Sequence, residues 1–166
     1  MTIEEAIKTA IEFENDVRDV YRDAAEKAVD PTGKRMFSVL ADEEQGHVRF
    51  LGERLSEWRK TGKVAASSLK TAVPSKDTIA EAASRLAAGM SDADHGMEMK
   101  MLSKALDAER RTSDFYRKMV KELPPEGQRL FERFVEIEEG HLAIVQAEMD
   151  SLAGTGAWFD VLEVKL

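Results

Sequence analysis

With 166 residues, 32 of them acidic against 24 basic, and a net charge of −8, the chain suits one domain that buries about 70% of the surface its unfolded form exposes. No Lys/Arg cluster exceeds a pair such as Arg59-Lys60 or Arg110-Arg111, which argues against nucleic-acid phosphates as partners, and no apolar run approaches the ~20 residues of a membrane span. The absence of cysteine excludes disulfides, thiolate zinc sites and iron–sulfur clusters, leaving carboxylate and imidazole as the metal ligands on offer.

Periodicity predicts helix nearly throughout. Ile3, Ile7, Ala10, Ile11, Glu14, Val17 and Tyr21 recur at three- and four-residue steps, one stripe of a first helix over about residues 2–28. Its opening, MTIEEAIKTAIEF, lacks a basic flank and a cleavage site, so a cytoplasmic protein is expected. Asp30 as cap and Pro31 at the first position start a second helix, which carries Met36, Phe37, Leu40, Glu44, His47, Phe50, Leu51 and Leu55 inward and fades near Thr61-Gly62. Residues 61–76 turn to Gly, Ser, Thr, Lys and Pro, a linker long enough to cross a bundle, and a short helix from Asp77 to Ala88 follows, broken at Gly89. A third long helix is expected from about Ser91 to Leu123, with Met97, Met101, Leu102, Ala105, Leu106, Glu109, Thr112, Phe115, Tyr116 and Met119 on its inner face. Pro124-Pro125 ends it. The fourth carries Leu130, Phe131, Phe134, Val135, Glu138, His141, Leu142, Val145 and Met149 to a stop at Gly154-Thr155-Gly156. The tail from Trp158 to Leu166 is too apolar to hang in water and is expected to pack on the bundle or on a neighbouring subunit. The expected organisation is one all-α bundle over residues 1–153, with its crossover at about 62–90, and a tail over 154–166.

The two halves repeat one another. At an offset of 94, Pro31, Gly33, Arg35, Phe37, Glu44 and His47 align with Pro125, Gly127, Arg129, Phe131, Glu138 and His141. At an offset of 95, Ala10, Glu14 and Tyr21 align with Ala105, Glu109 and Tyr116. Two like hairpins joined by a long crossover fit a ferritin-like four-helix bundle.

Residues three apart on a helix share a face, so Glu44 with His47, and Glu138 with His141, can each aim a carboxylate and an imidazole at one point. Both pairs interrupt apolar stripes, as do Glu14 and Glu109 on the partner helices. Four carboxylates buried together repel unless cations neutralise them. Four Glu and two His are also the ligand complement of di-iron and di-manganese carboxylate bundles, and oxygen and nitrogen donors favour iron or manganese over structural zinc. A lone Glu-x-x-His is an ordinary surface pair; its duplication, which uses two of the three histidines, makes a dinuclear site the better reading. His95 has no repeat partner and reads as a surface histidine. Tyr21 and Tyr116 lie two turns beyond Glu14 and Glu109, placed to donate a hydroxyl to a ligating carboxylate. Glu12, Glu43, Asp107 and Glu139 are rotated off the inner face and read mostly as solvated, and Met97, Met99, Met101 and Met119 as core filler.

The doubled E-x6-Y and E-x-x-H signature resembles the rubrerythrins of the ferritin-like superfamily, over roughly residues 1–58 and 92–152. The resemblance implies two iron ions, or manganese, with zinc able to substitute. Glu44 and Glu138 would bridge them, Glu14 and His47 would complete one, and Glu109 and His141 the other. It also implies reaction with O2 or hydrogen peroxide. Rubrerythrins draw electrons from a four-cysteine rubredoxin-like domain; without cysteine, this chain needs an external electron donor or Fe2+ itself. Where rubrerythrins carry a further Glu ligand one turn after the Glu109 equivalent, this chain has Thr112, leaving six ligands as in bacterioferritin. An oxidase or peroxide reductase, a ferroxidase feeding iron handling, and an interaction module stabilised by structural metal are the competing expectations, with a homodimer as the expected assembly.

Overall fold

The computed structural model describes residues 1–64, 69–85 and 96–159. They form five helices: α1 (Ile3–Lys27), α2 (Pro31–Thr61), α3 (Lys76–Arg85), α4 (Gly96–Glu122) and α5 (Pro125–Gly154). Four long helices with a crossover and its short helix between the second and third of them make the chain an all-α, ferritin-like bundle. The expected start of the third long helix at Ser91, the end of the crossover helix at Ala88-Gly89, His95, and the tail beyond Phe159 lie outside the described residues. No helix among those described is long and apolar enough to cross a membrane.

The helix ends follow from local chemistry. Thr2 and Glu5 cap α1 reciprocally: Thr2 Oγ1 accepts from the Glu5 amide at 3.1 Å, and the Glu5 carboxylate accepts from the Thr2 amide at 2.9 Å. Two amides that the helix cannot satisfy are thereby paired. Asp30 accepts from the Thr32 and Gly33 amides at 2.8 and 3.4 Å to start α2 behind Pro31, and Gly62, at φ 67°, ends it in a left-handed conformation that suits glycine.

α1 packs against α2 and α4 against α5, and the two hairpins meet through α1 and α4. The apolar core is divided in two. One cluster joins the end of α1 (Val17, Tyr21, Ala24) to the beginnings of α2 and α4 and the end of α5. The other joins the beginning of α1 (Ile3, Ile7, Ala10) to Leu51, Tyr116, Met119, Phe131 and Phe134. That arrangement makes α1 and α4 antiparallel, as a two-fold axis perpendicular to the helices relates two like hairpins.

Trp158 and Phe159 pack on this chain's own bundle. Phe159 is buried, while Trp158 meets Phe37 edge-on at 5.4 Å and donates from Nε1 to Glu98 at 2.7 Å. The ring lies so close to Gly33 that a Cβ there would come within 2.5 Å of it. Glu98 also accepts from the Val29 and Asp30 amides, each at 3.1 Å, tying the α1–α2 turn to α4. This corrects the reading of Met97 as core filler: Glu98 takes the inward position at the start of α4, and Met97 is 48% exposed.

Phe37, fully buried between Tyr21 and Trp158, is a stringent probe of this packing. Phe37→Ala should cost about 4 kcal/mol, read as a fall in the urea midpoint at unchanged m-value; a loss under ~1 kcal/mol would mean the cavity collapses or the contact is not made.

Candidate metal centre

Between the two apolar clusters lie six polar side chains, all no more than 1% exposed: Glu14 from α1, Glu44 and His47 from α2, Glu109 from α4, and Glu138 and His141 from α5. The structure brings together every residue of the expected set. His47 Nδ1 lies 3.3 Å from Glu14 and 3.2 Å from Glu44, and His141 Nδ1 lies 3.2 Å from Glu109 and 2.8 Å from Glu44. Glu14, Glu44, His47 and Glu138 offer ligand atoms within 4.8 Å of one another, as do Glu44, Glu109, Glu138 and His141. Glu44 and Glu138 belong to both groups. The two imidazoles lie nearly parallel, centroids 5.4 Å apart, with Phe134 edge-on to His47 at 5.5 Å as part of the apolar wall.

Both tyrosine hydroxyls reach the cluster, across the two-fold axis. Tyr21 donates to Glu109 at 2.6 Å and Tyr116 to Glu14 at 2.5 Å. Seven residues of helix separate each tyrosine from the glutamate on its own helix by about 10 Å, too far for contact. The antiparallel neighbour supplies a glutamate at the right height instead.

The electrostatics are those of charges taken from water. Burial pushes the Glu44 carboxyl up, and the Glu14 and Glu109 carboxylates push it further, to about 8. Burial likewise raises Glu138, with Glu109 adding to it. Burial disfavours the His47 cation, but Glu14 and Glu44 outweigh that and raise it to about 10; His141 is raised in the same sense by Glu109 and Glu44. Burial raises Glu109 too, yet His141 beside it and hydrogen bonds, Tyr21 among them, bring it down to about 2. Neither oxygen of Glu138, neither oxygen of Glu44 and one oxygen of Glu109 has a hydrogen-bond partner. Orphaned buried carboxylate oxygens are costly. Aimed into one dry space with two imidazoles, they form a donor set that could hold two divalent cations, chemically fitted to iron or manganese.

The sequence pattern missed Glu43. Its side chain is 7% exposed rather than solvated, because it lies under the crossover and accepts from Thr71 Oγ1 at 2.6 Å and the Ala72 amide at 2.7 Å. It also sits 2.7 Å from His141 Nε2. The doubled acid Glu43-Glu44 was the only hint, and the repeat concealed it, since Ile137 stands at the matching position of α5. Glu12 and Asp107 are exposed as expected, and Glu139 pairs with Lys76 and Arg117. Thr112 is buried and donates to the Ala108 carbonyl at 3.0 Å, so it spends its hydroxyl on its own helix.

A stability trend follows for the metal-free protein. Glu44 titrates at about 8 folded against an ordinary 4.5, and His47 at about 10 against 6.5. Both therefore bind protons more tightly folded than unfolded, and their contribution, complete at low pH, is lost as pH rises through the folded values. The melting temperature of the metal-free protein should fall between pH 6.5 and about 9, as followed by circular dichroism; a rise over that interval would contradict the protonation pattern.

Comparison with known proteins adds one finding. A family model described as Rubrerythrin matches residues 1–93, more than half of the chain and a span that contains Glu14, Tyr21, Glu44 and His47. No curated protein and no solved structure matches. The second half, outside that match, repeats the same residues on α4 and α5 and closes them around the same centre. The chain belongs to the rubrerythrin family.

Proposed function

We propose that Glu14, Glu44, His47, Glu109, Glu138 and His141 hold two iron ions, or two manganese ions, and that the protein is an oxidoreductase acting on O2 or hydrogen peroxide. The observation that carries this reading is the pair of overlapping donor groups with Glu44 and Glu138 common to both, the arrangement that two neighbouring cations sharing ligands require. Bound as a pair, such ions supply two electrons together, as the reduction of one hydrogen peroxide to two waters demands along with two protons.

The protein's own part is positioning and exclusion. Glu44 and Glu138 are not tied by hydrogen bonds to anything outside the cluster, which leaves their carboxylates room to change their mode of binding. Glu14 and Glu109 are held in place by Tyr116 and Tyr21, whose hydroxyls keep a proton one hydrogen bond from the centre. Phe131, Phe134 and Tyr116 pack together on one side, with Tyr116 and Phe134 centroids 4.9 Å apart, and keep water out. The sequence contains no cysteine, so an electron donor outside these 166 residues completes the cycle. A homodimer belongs to the same reading.

One observation favours a second reading. Thr112 is back-bonded to its own helix where the rubrerythrin pattern places a further carboxylate, and the remaining six donors suit oxidation of Fe2+ as cargo equally well.

Anaerobic titration should bind two Fe2+ per chain, and stopped-flow mixing with O2 or hydrogen peroxide should give a rapid oxidation signal. Glu44→Ala should slow it by more than the roughly 10- to 100-fold that loss of an outer partner costs. Faster reaction with peroxide and turnover with an added reductant support the first reading; iron accumulation without turnover, on an assembly of many subunits by light scattering, supports the second. Metal-dependent folding with no oxidation at all would overturn both.

A further inference from the structure

The two halves of the centre carry the same six residue types, with Glu44 rather than Glu138 set against both imidazoles, and the residues one layer out differ in kind. His141 turns Nδ1 toward Glu44 and Glu109 and sets Nε2 2.7 Å from Glu43. His47 turns Nδ1 toward Glu14 and Glu44, but its Nε2 is buried without a hydrogen-bond partner, and Glu43 is 3.8 Å away. The repeat explains the difference: the residue of α5 that matches Glu43 is Ile137, which is buried and apolar. One histidine is therefore clamped by a carboxylate and its counterpart is not.

The clamp is itself built. Thr71 and Ala72 of the crossover each donate to Glu43, and the crossover is seated by contacts of its own: Arg133 Nε donates to the Leu69 carbonyl at 2.9 Å, Val73 is buried, and the Pro74 carbonyl lies over Gly140, where a Cβ would approach it to 3.0 Å. Gly140 immediately precedes His141. With three donors converging on it, the Glu43 carboxylate cannot turn away from the imidazole. A ring that donates Nε2–H to a fixed carboxylate keeps its Nδ1 lone pair, in one tautomer and one orientation, for an ion held among the inner carboxylates, and is a stronger ligand for it.

We propose that Glu43, fixed by the crossover, is a positioning residue for His141 that makes the two metal positions inequivalent, so that the Glu109–His141 position takes a divalent cation first and more tightly than the Glu14–His47 position. This rests on the reading of the six inner residues as ligands of two ions. It goes beyond that reading by assigning an order of filling, and by giving the crossover a part in metal affinity.

The test uses Co2+ as probe on the full chain, by calorimetry and by the visible absorption of the bound ion. The wild-type protein should bind two ions in two resolved classes. His141→Ala should abolish the tighter class and His47→Ala the weaker one. Glu43→Gln should weaken the tighter class by about 10- to 100-fold, drawing the two together, while leaving the weaker class within a few-fold of its original affinity. Thr71→Val, which removes one donor and keeps the charge, should shift the tighter class in the same direction by less, and stands in should Glu43→Gln fail to fold. In the Zn2+-loaded protein, imidazole 15N shifts should show a single Nε2–H tautomer for His141 that Glu43→Gln relaxes, a change that a merely structural role would not produce. Equal affinity of the two positions in the wild type, a gap that survives Glu43→Gln, or loss of the tighter class in His47→Ala would overturn the proposal. So would a third ion per chain that vanishes in Glu43→Gln, because Glu43 would then be a ligand. Failure of the underlying reading is distinguishable: Co2+ would not bind stoichiometrically, or would bind unchanged in Glu44→Ala.

Discussion

Four carboxylates and two imidazoles share one dry space in the middle of this bundle, and the rest of the molecule answers to the cost of putting them there. At an effective dielectric near 20, two like charges about 4 Å apart repel by about 4 kcal/mol, comparable to the whole net stability of a domain of roughly 5–15 kcal/mol. Without a metal, the repulsion shows as tighter proton binding: burial and neighbouring carboxylates push Glu44 and Glu138 upward, and the carboxylates beside them push both histidines upward. Divalent ions held as proposed would relieve that repulsion with charge in place of protons, and proton and metal would then compete for the same oxygens.

The price of that arrangement is borne by the apolar layers above and below it. Each layer draws residues from all four long helices, so neither hairpin can shift without disturbing both. The repeat economises on design: Tyr21 packs beside Phe37, and Tyr116 beside the matching Phe131, at opposite ends of the bundle. In each half, a tyrosine that packs in its own layer sends its hydroxyl to the opposite helix's glutamate. One side chain therefore serves both packing and the orientation of a carboxylate.

Symmetry holds where the donors are and fails where the chain has to connect. The crossover joins the end of α2 to the start of α4 and can lie on only one side of the α2–α5 seam, so whatever it touches has no counterpart. Glu43, Arg133 and Gly140 are among the residues it touches. The tail at Trp158 is similarly unpaired: it covers Gly33, while the matching Gly127 faces Leu123 and Ile3 instead. A duplicated bundle folded from one chain thus acquires an asymmetric outer layer, in which the connection and the residue differences between the repeats, such as Glu43 against Ile137, go together.

The sequence by itself determined the run of helices, the Asp30 cap and which six polar side chains meet inside, because each follows from short-range rules: a three-residue step for Glu44 and His47, a capping aspartate before Pro31, an apolar stripe broken by Glu14. Duplication then made those weak local signals additive. Only the tertiary structure decided which helix's glutamate each tyrosine meets, that Glu98 and not Met97 turns inward at the start of α4, and that Glu43 lies beneath the crossover against His141. Those outcomes depend on which segments, distant in the chain, come to lie side by side, and no periodicity within a single helix encodes that.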